Sequence, residues 1–292
     1  MSIYAYERRD RAVNFGDALN GWLWPRLWPT VEADTAGGTL VAIGTVVNSA
    51  LPQRLPPGPV WILGAGAGYE RPLGSRPNHW RIYALRGPLS AQRLGVSPEL
   101  AVTDAAVLLR RCLPGVTAMG EGVAVMPHIH HAVEAGEFWR RACDLAGMTY
   151  LDPRDSVAAV TTAIRGSGLL LAEAMHGAIA ADALGTPWVP LITSPRMLRF
   201  KWRDWCASVQ VPYRPWSLPP LTTYRPYGRG VRSGFLAAQH WGQIPKPLWG
   251  ANRDEAALAA ALHYIAERAE PMLSDRNHLE TLTQRLEQCL ET

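Results

Sequence analysis

Short apolar runs alternate with stretches of helical periodicity along most of this chain. Continuous apolar runs of this kind fit buried parallel strands, which are covered on both faces. They predict strands over Leu40–Val46, Val60–Gly64, Arg81–Leu85, Val123–Met126, Met148–Leu151, Leu169–Ala172 and Trp188–Leu191. Between and after them the spacing predicts helices over Phe15–Leu27, Pro88–Leu94, Glu134–Ala146, Ser156–Gly166, His176–Leu184, Asn252–Ala269 and Asp275–Leu290, with Asp155 as the N-cap of the fourth. The alternation places the chain in the α/β class. Pro114, Gly115, Gly120 and Gly122 mark a break near Leu113–Glu121. The expected domains are therefore residues 1–118 and 119–292, with the last helices free to cross back onto the first.

The segment Leu169–Leu191 carries the most chemistry. An apolar strand ends at Ala172, a tight turn holds Glu173 to His176, and a small-residue helix follows. Gly185 sits where a C-cap glycine belongs, and Pro187 forbids continuation. His176 thus falls at the carboxyl end of a strand and the start of a helix, where open α/β sheets bind ligands. Free N–H groups and the helix dipole favour an anion there.

Arg86 occupies a similar place, since it ends a strand and Gly87-Pro88 opens the next helix. Its planar fork suits a carboxylate or phosphate. His128, first out of the strand Val123–Met126, reads as a further ligand contact, and His130 and His131 as exposed. No cysteine or carboxylate accompanies these histidines in ligand spacing, so no metal is expected. For Asn14 and Asp17 two readings stay open. They are an N-cap and a first-turn acid, or a general base and anchor for a hydroxylated ligand. Gly64, Gly66 and Gly68 form a glycine-rich turn that reads as a backbone wall rather than a dinucleotide fingerprint, because no helix clearly follows.

Composition narrows the function classes. Hydrophobic residues make up 48% and charged ones 18%, as in an ordinary globular protein. The net charge of +4 is mostly arginine and unclustered, with no nucleic-acid-binding motif. The four widely spaced cysteines form no zinc or disulfide pattern. No apolar stretch is long enough to span a membrane, and the charged start MSIYAYERRDR lacks a signal-peptide core, so a cytoplasmic location is expected. Residues Arg196–Gly234 stand apart as rich in proline, aromatics and arginine, with Asp204 as their one acid. Little regular structure is expected after Val211. The segment reads as an aromatic-packed excursion, or as a wall for a lipid-linked glycan with peripheral contact to the inner membrane face.

Three motifs in order resemble those of the polysaccharide pyruvyl transferases. Glu173-Ala-Met-His176 through Ala181, Gly185 and Pro187 resembles the family's serine/glutamate-x-x-His signature. Asn14-Phe-Gly-Asp17 resembles its N-x-G-D loop. Arg86-Gly-Pro-Leu-Ser90 through Leu94-Gly95 resembles its R-G-P-x-S segment. NFGDALNGWLWPRL is most similar to the exopolysaccharide ketal pyruvate transferase branch. Thr103-Asp104-Ala105 departs from the family in lacking a proline after the aspartate. The resemblance implies two Rossmann-like domains facing a cleft in a GT-B-like arrangement. It implies phosphoenolpyruvate as co-substrate, no resident cofactor, and a lipid-linked oligosaccharide as acceptor. His176 would be the general acid and Asp17 a catalytic partner. Arg86, Ser90, His128, His176 and Gly177 would bind the donor, and Asn14 and Asp17 the acceptor, with Trp202 and Arg203 added to the acceptor side by the basic, aromatic composition of their segment. Competing readings are a nucleotide-sugar glycosyltransferase of GT-B type and a non-catalytic glycan-binding protein.

Overall fold

Among the described residues, every strand of the two main sheets runs parallel to its neighbours. The computed structural model describes residues 1–29, 37–74, 77–113, 120–195, 197–221 and 231–290. Most of the expected linker, residues 114–119, and residues 196 and 222–230 of the basic aromatic segment lie outside these. The chain divides into two compact units. One comprises Met1–Val116, Leu198–Tyr213 and Ser274–Thr292, the other Thr117–Met197 and Arg214–Leu273.

The first unit holds β1 (Ser2–Ile3), α1 (Phe15–Leu27), β2 (Thr39–Val41), β3 (Val60–Leu63), β4 (Trp80–Ala84), α2 (Pro88–Leu94) and α3 (Leu109–Cys112). Its sheet order is β1-β2-β3-β4. The second opens with β5 (Val123–Met126), α4 (Ile129–Leu145), β6 (Thr149–Tyr150), α5 (Val157–Arg165), β7 (Leu169–Ala172), α6 (Met175–Leu184) and β8 (Trp188–Ile192). The chain then returns to the first unit for α7 (Arg199–Ser208). It supplies the second with β9 (Trp216–Ser217), α8 (Val231–Trp241) and α9 (Glu255–Arg268), and ends in the first as α10 (Arg276–Gln288). The second sheet is ordered β6-β5-β7-β8-β9.

Apolar burial builds each unit separately. In the second, Trp139 and Cys143 of α4 pack with Leu258, Leu262 and Ile265 of α9 and with Val125, Leu171 and Val189 of the strands. In the first, α10 is clamped by Arg111, which donates to Glu280 at 2.6 Å and to Glu287 at 2.7 Å. His278 of α10 donates to the Ser208 carbonyl at 3.0 Å, tying α10 to the end of α7.

Several elements differ from the sequence expectation for identifiable reasons. The strand expected to reach Val46 stops at Val41. The buried Asn20 amide accepts from the Ile43 N–H and donates to the Ile43 carbonyl, both at 3.2 Å, so a side chain replaces the next strand. The expected helix at Glu134 begins at Ile129, because the His128 ring accepts from the His130 N–H and caps it. The backbone kinks at Ala135, one residue beyond the expected start. Ser156, not Asp155, caps α5. Short strands β1 and β9 and helices α3, α7 and α8 were not expected.

Helix α7 corrects the reading of Trp202 as an acceptor-binding residue. Trp202 and Trp205 have no exposed surface, and Trp202 stacks on Tyr213 with ring centroids 5.6 Å apart. Arg203 alone of the expected acceptor pair faces solvent. Trp202→Ala is expected to cost about 3–5 kcal/mol of stability, the usual range for emptying a buried aromatic site. Urea denaturation reads this directly, and an unchanged midpoint would show that the ring does not support the core.

Candidate active site

In the second unit the ends of three adjacent strands are joined by one side chain. Met126 of β5 pairs with Ala172 of β7, which pairs with Pro190 of β8, so the three strands finish side by side. Glu173 follows β7, the middle strand, and is fully buried. Its carboxylate accepts from the His128 N–H (2.9 Å), the His131 ring (2.5 Å), the Thr193 N–H (3.1 Å) and the Thr193 hydroxyl (2.5 Å). These donors stand after β5 and β8, so the carboxylate fastens β7 to both neighbours where the strand ladders end.

The electrostatics follow from that geometry. Burial pushes the Glu173 carboxyl up. The facing His131 charge and hydrogen bond, together with His128 and Thr193, outweigh it and hold the group at about 2. Burial pulls the His131 ring down, but Glu173, with Glu134 beyond it, raises it above its ordinary value. His131 and Glu173 are therefore a buried ion pair, and the expectation that His131 is exposed is corrected. His130 does face solvent, while the half-buried His128 caps α4.

His176 is the second residue of α6, half-buried at the helix start directly after this turn. The preceding N-cap residue is Ala174, whose side chain has nothing to offer the first-turn N–H groups. Gly177 is third, and a Cβ there would stand 2.5 Å from the Met126 sulfur. Glycine thus lets α6 lie close on β5. Its backbone N–H belongs to the same first turn, so the position suits anion recognition through main chain rather than side chain.

The motif residues of the first unit form a second buried constellation. Arg86, after β4, is fully buried. Its guanidinium donates to Asp204 (3.3 Å), the Thr45 hydroxyl (2.7 Å) and the Ala67 carbonyl (3.5 Å). Asp204 of α7 also accepts from the Ser90 N–H at 2.9 Å and from the Ser90 hydroxyl, while Ser90 Oγ accepts from the Ala67 N–H at 2.9 Å. A Cβ at Gly66 would fall 2.0 Å from the guanidinium, and one at Gly87 would fall 2.1 Å from the Asp204 carbonyl oxygen. The glycine-rich turn is thus a cradle for Arg86. The expectation that Arg86 and Ser90 touch a donor directly is corrected, because both are sealed from solvent and engaged by Asp204. They bind a carboxylate, but it is the protein's own.

Asn14 and Asp17 are brought together. Asn14 takes the N-cap position of α1, yet its side chain donates to the Asp17 carboxylate at 2.7 Å instead of capping. Both are partly accessible. The buried Asp104 accepts from the Ala106 N–H at 3.0 Å and so starts a short 3₁₀ turn without needing the proline. Asn14, Asp17, Arg86, Ser90, Trp202 and Arg203 belong to the first unit, and His128, His176 and Gly177 to the second. Sequence reasoning missed the roles of His131, Thr193 and Asp204. Asp204 did carry a signal, as the one acid in a long basic and aromatic stretch. Thr193 carried none, because it meets Glu173 only through strand pairing.

No protein-family model matches the chain. It is 40% identical over 237 residues to the succinoglycan biosynthesis protein ExoV of Rhizobium meliloti (strain 1021). The match spans 80% of this chain and 73% of that protein.

Two measurements check this geometry. Glu173 has a depressed folded value, so it adds stability above its ordinary 4.5 that is lost as pH falls toward about 2. His131 is raised above its ordinary 6.5, so its contribution is complete below that pH and fades as pH rises through the folded value. Thermal midpoints of the wild type should therefore decline relative to His131→Gln on the alkaline side of about pH 6.5. Parallel curves would exclude a charged His131. Separately, Asp204→Asn should cost about 3–5 kcal/mol by leaving Arg86 buried without its counter-charge. An Arg86→Met/Asp204→Leu double variant should recover part of that loss in the same denaturation assay.

Proposed function

Because this chain belongs to the family of the succinoglycan biosynthesis protein ExoV, we propose that it is a transferase of exopolysaccharide biosynthesis, moving pyruvyl from phosphoenolpyruvate onto a sugar as a cyclic ketal. The observation that carries the reading is His176. It starts α6 immediately beyond a turn held rigid by the ionised Glu173, at the carboxyl edge of a parallel sheet. Two parallel-sheet units are also the components from which the GT-B-like architecture of this reading is built.

The chemistry assigns each group a task. His176 protonates the methylene carbon of phosphoenolpyruvate, which becomes a methyl group. Positive character develops on the carbon bearing carboxylate and phosphate. One sugar hydroxyl attacks it and gives up its proton to a general base, for which Asp17 is the candidate. Phosphate then leaves with the proton held by the base, and attack by the second hydroxyl, whose proton restores His176, closes the ketal, so one diol and one phosphoenolpyruvate yield one ketal and one phosphate. The first-turn N–H groups of α6, Gly177 included, and the polar ring of His128 stabilise the anionic donor. Asn14 orients Asp17, and the exposed Arg203 is the remaining candidate on the acceptor side. Arg86 and Ser90 serve this reading indirectly, by holding α7 in place through Asp204. No metal or resident cofactor has a step in it.

Phosphate release from phosphoenolpyruvate, with lipid-linked oligosaccharides as acceptors, tests the reaction. His176→Ala should lower turnover by about 10²–10⁴-fold, the usual worth of a general acid. A variant that keeps near-wild-type turnover would remove His176 from the chemistry. Thermal stabilisation by a nucleoside diphosphate, with none by phosphoenolpyruvate, would instead favour a nucleotide-sugar glycosyltransferase.

A further inference from the structure

Helix α8 has two unlike sides. His240, its buried residue, donates to the Leu218 carbonyl at 2.9 Å and fastens the helix to the second unit. The opposite side carries Gly234, Phe235, Ala238, Gln239 and Trp241, all facing solvent and none charged. Phe235 is 70% exposed and Trp241 38%. Just beyond, Trp249 is 53% exposed, with its indole N–H donated to the Ile244 carbonyl at 3.0 Å. Exposed aromatics grouped on one uncharged helix side are not ordinary surface, because they leave apolar area in water with no compensating charge.

The stretch of chain that builds this side carries charge of one sign only. From Cys206 to Arg253 the chain contains no aspartate or glutamate, while Lys246 and Arg253 bracket Trp249 in sequence. Lys246 and Arg253 are exposed. The run ends at Asp254, whose carboxylate is committed to capping α9. Two copies of this chain meeting through the same face would bring like charges together, which argues against self-association. An anionic surface with an apolar interior satisfies both features. Phenylalanine and tryptophan enter the boundary between headgroups and acyl chains, and lysine and arginine meet the phosphates.

We infer that α8 and the following turn through Trp249 form a docking surface for an anionic phospholipid bilayer. The surface differs from the one expected from composition, whose Trp202 and Trp205 are buried in the core. Among the described residues no helix is long and apolar enough to cross a membrane, so attachment is peripheral and reversible. The inference stands independently of the reaction proposed above. Vesicle binding without phosphate release, or the reverse, would separate the two.

Co-sedimentation of the protein with vesicles tests it, using phosphatidylcholine with and without phosphatidylglycerol. Binding is expected only with phosphatidylglycerol and at low salt, and should fall away at high salt as the charges are screened. Phe235→Ser/Trp241→Ser should weaken binding by about tenfold or more, the factor implied by removing buried aromatic area. Phe235→Ser alone should leave the thermal midpoint unchanged, because that side chain is 70% exposed. Lys246→Ser/Arg253→Ser should flatten the salt dependence. A protein that stays in the supernatant at low salt overturns the inference, as does undiminished binding of the Phe235→Ser/Trp241→Ser variant. A wild-type dimer that the same variant converts to a monomer on size-exclusion chromatography would overturn it too, making this face a contact between copies.

Discussion

An ionised carboxylate without solvent must find its hydrogen bonds and its counter-charge where it stands, because leaving it unpaired costs about 3–5 kcal/mol, as much as emptying a buried aromatic site. Glu173 meets this condition at the end of the middle strand of the second sheet, and much of the candidate site depends on it. Its four donors come from the segments after β5 and β8. The places where α4 begins, where the chain leaves β8 and where His176 emerges are therefore all referred to one point. The hydrogen bonds make this loop edge a fixed platform, which a proton donor acting at a defined carbon requires.

The first unit solves a related problem with the opposite connectivity. There the carboxylate of Asp204 arrives from α7, far along the chain, and the receptor is built locally from Arg86, Ser90 and the glycines around them. Gly66 leaves room for the guanidinium, and Gly87 lets the α7 backbone close on the turn. Each unit thus fixes the end of a parallel strand through a buried acid–base pair. In one the pair supports the residues proposed to do chemistry, and in the other it anchors a helix that the chain inserts after visiting the second unit.

These buried pairs also explain why a motif read from sequence divides into parts with different tasks. His176 and Gly177 stand at an accessible helix start, while Glu173 in the same motif is sealed beneath it. Arg86 and Ser90 have the donor chemistry an anion would need, yet Asp204 already supplies the anion. Residue type announces what a group can bind. Burial and the nearest partner decide what it does bind.

The hydrophobic pattern alone determined the α/β class, seven strand positions and the strand-turn-helix setting of His176. Parallel strands covered on both faces leave a continuous apolar run, and Gly185 and Pro187 end α6 through their own backbone preferences. It did not reveal α7. Lys201, Trp202, Asp204, Trp205 and Ser208 all become buried there, so no polar face alternates with an apolar one to mark a helix. Nor did it reveal the end of β2 at Val41, since the Asn20 amide that replaces the strand lies on α1. The partners of Glu173, Arg86 and His131 were likewise decided only by tertiary structure. Hydrogen bonds between residues 20 to 118 positions apart are set by which strand lies beside which, and local periodicity holds no record of that order.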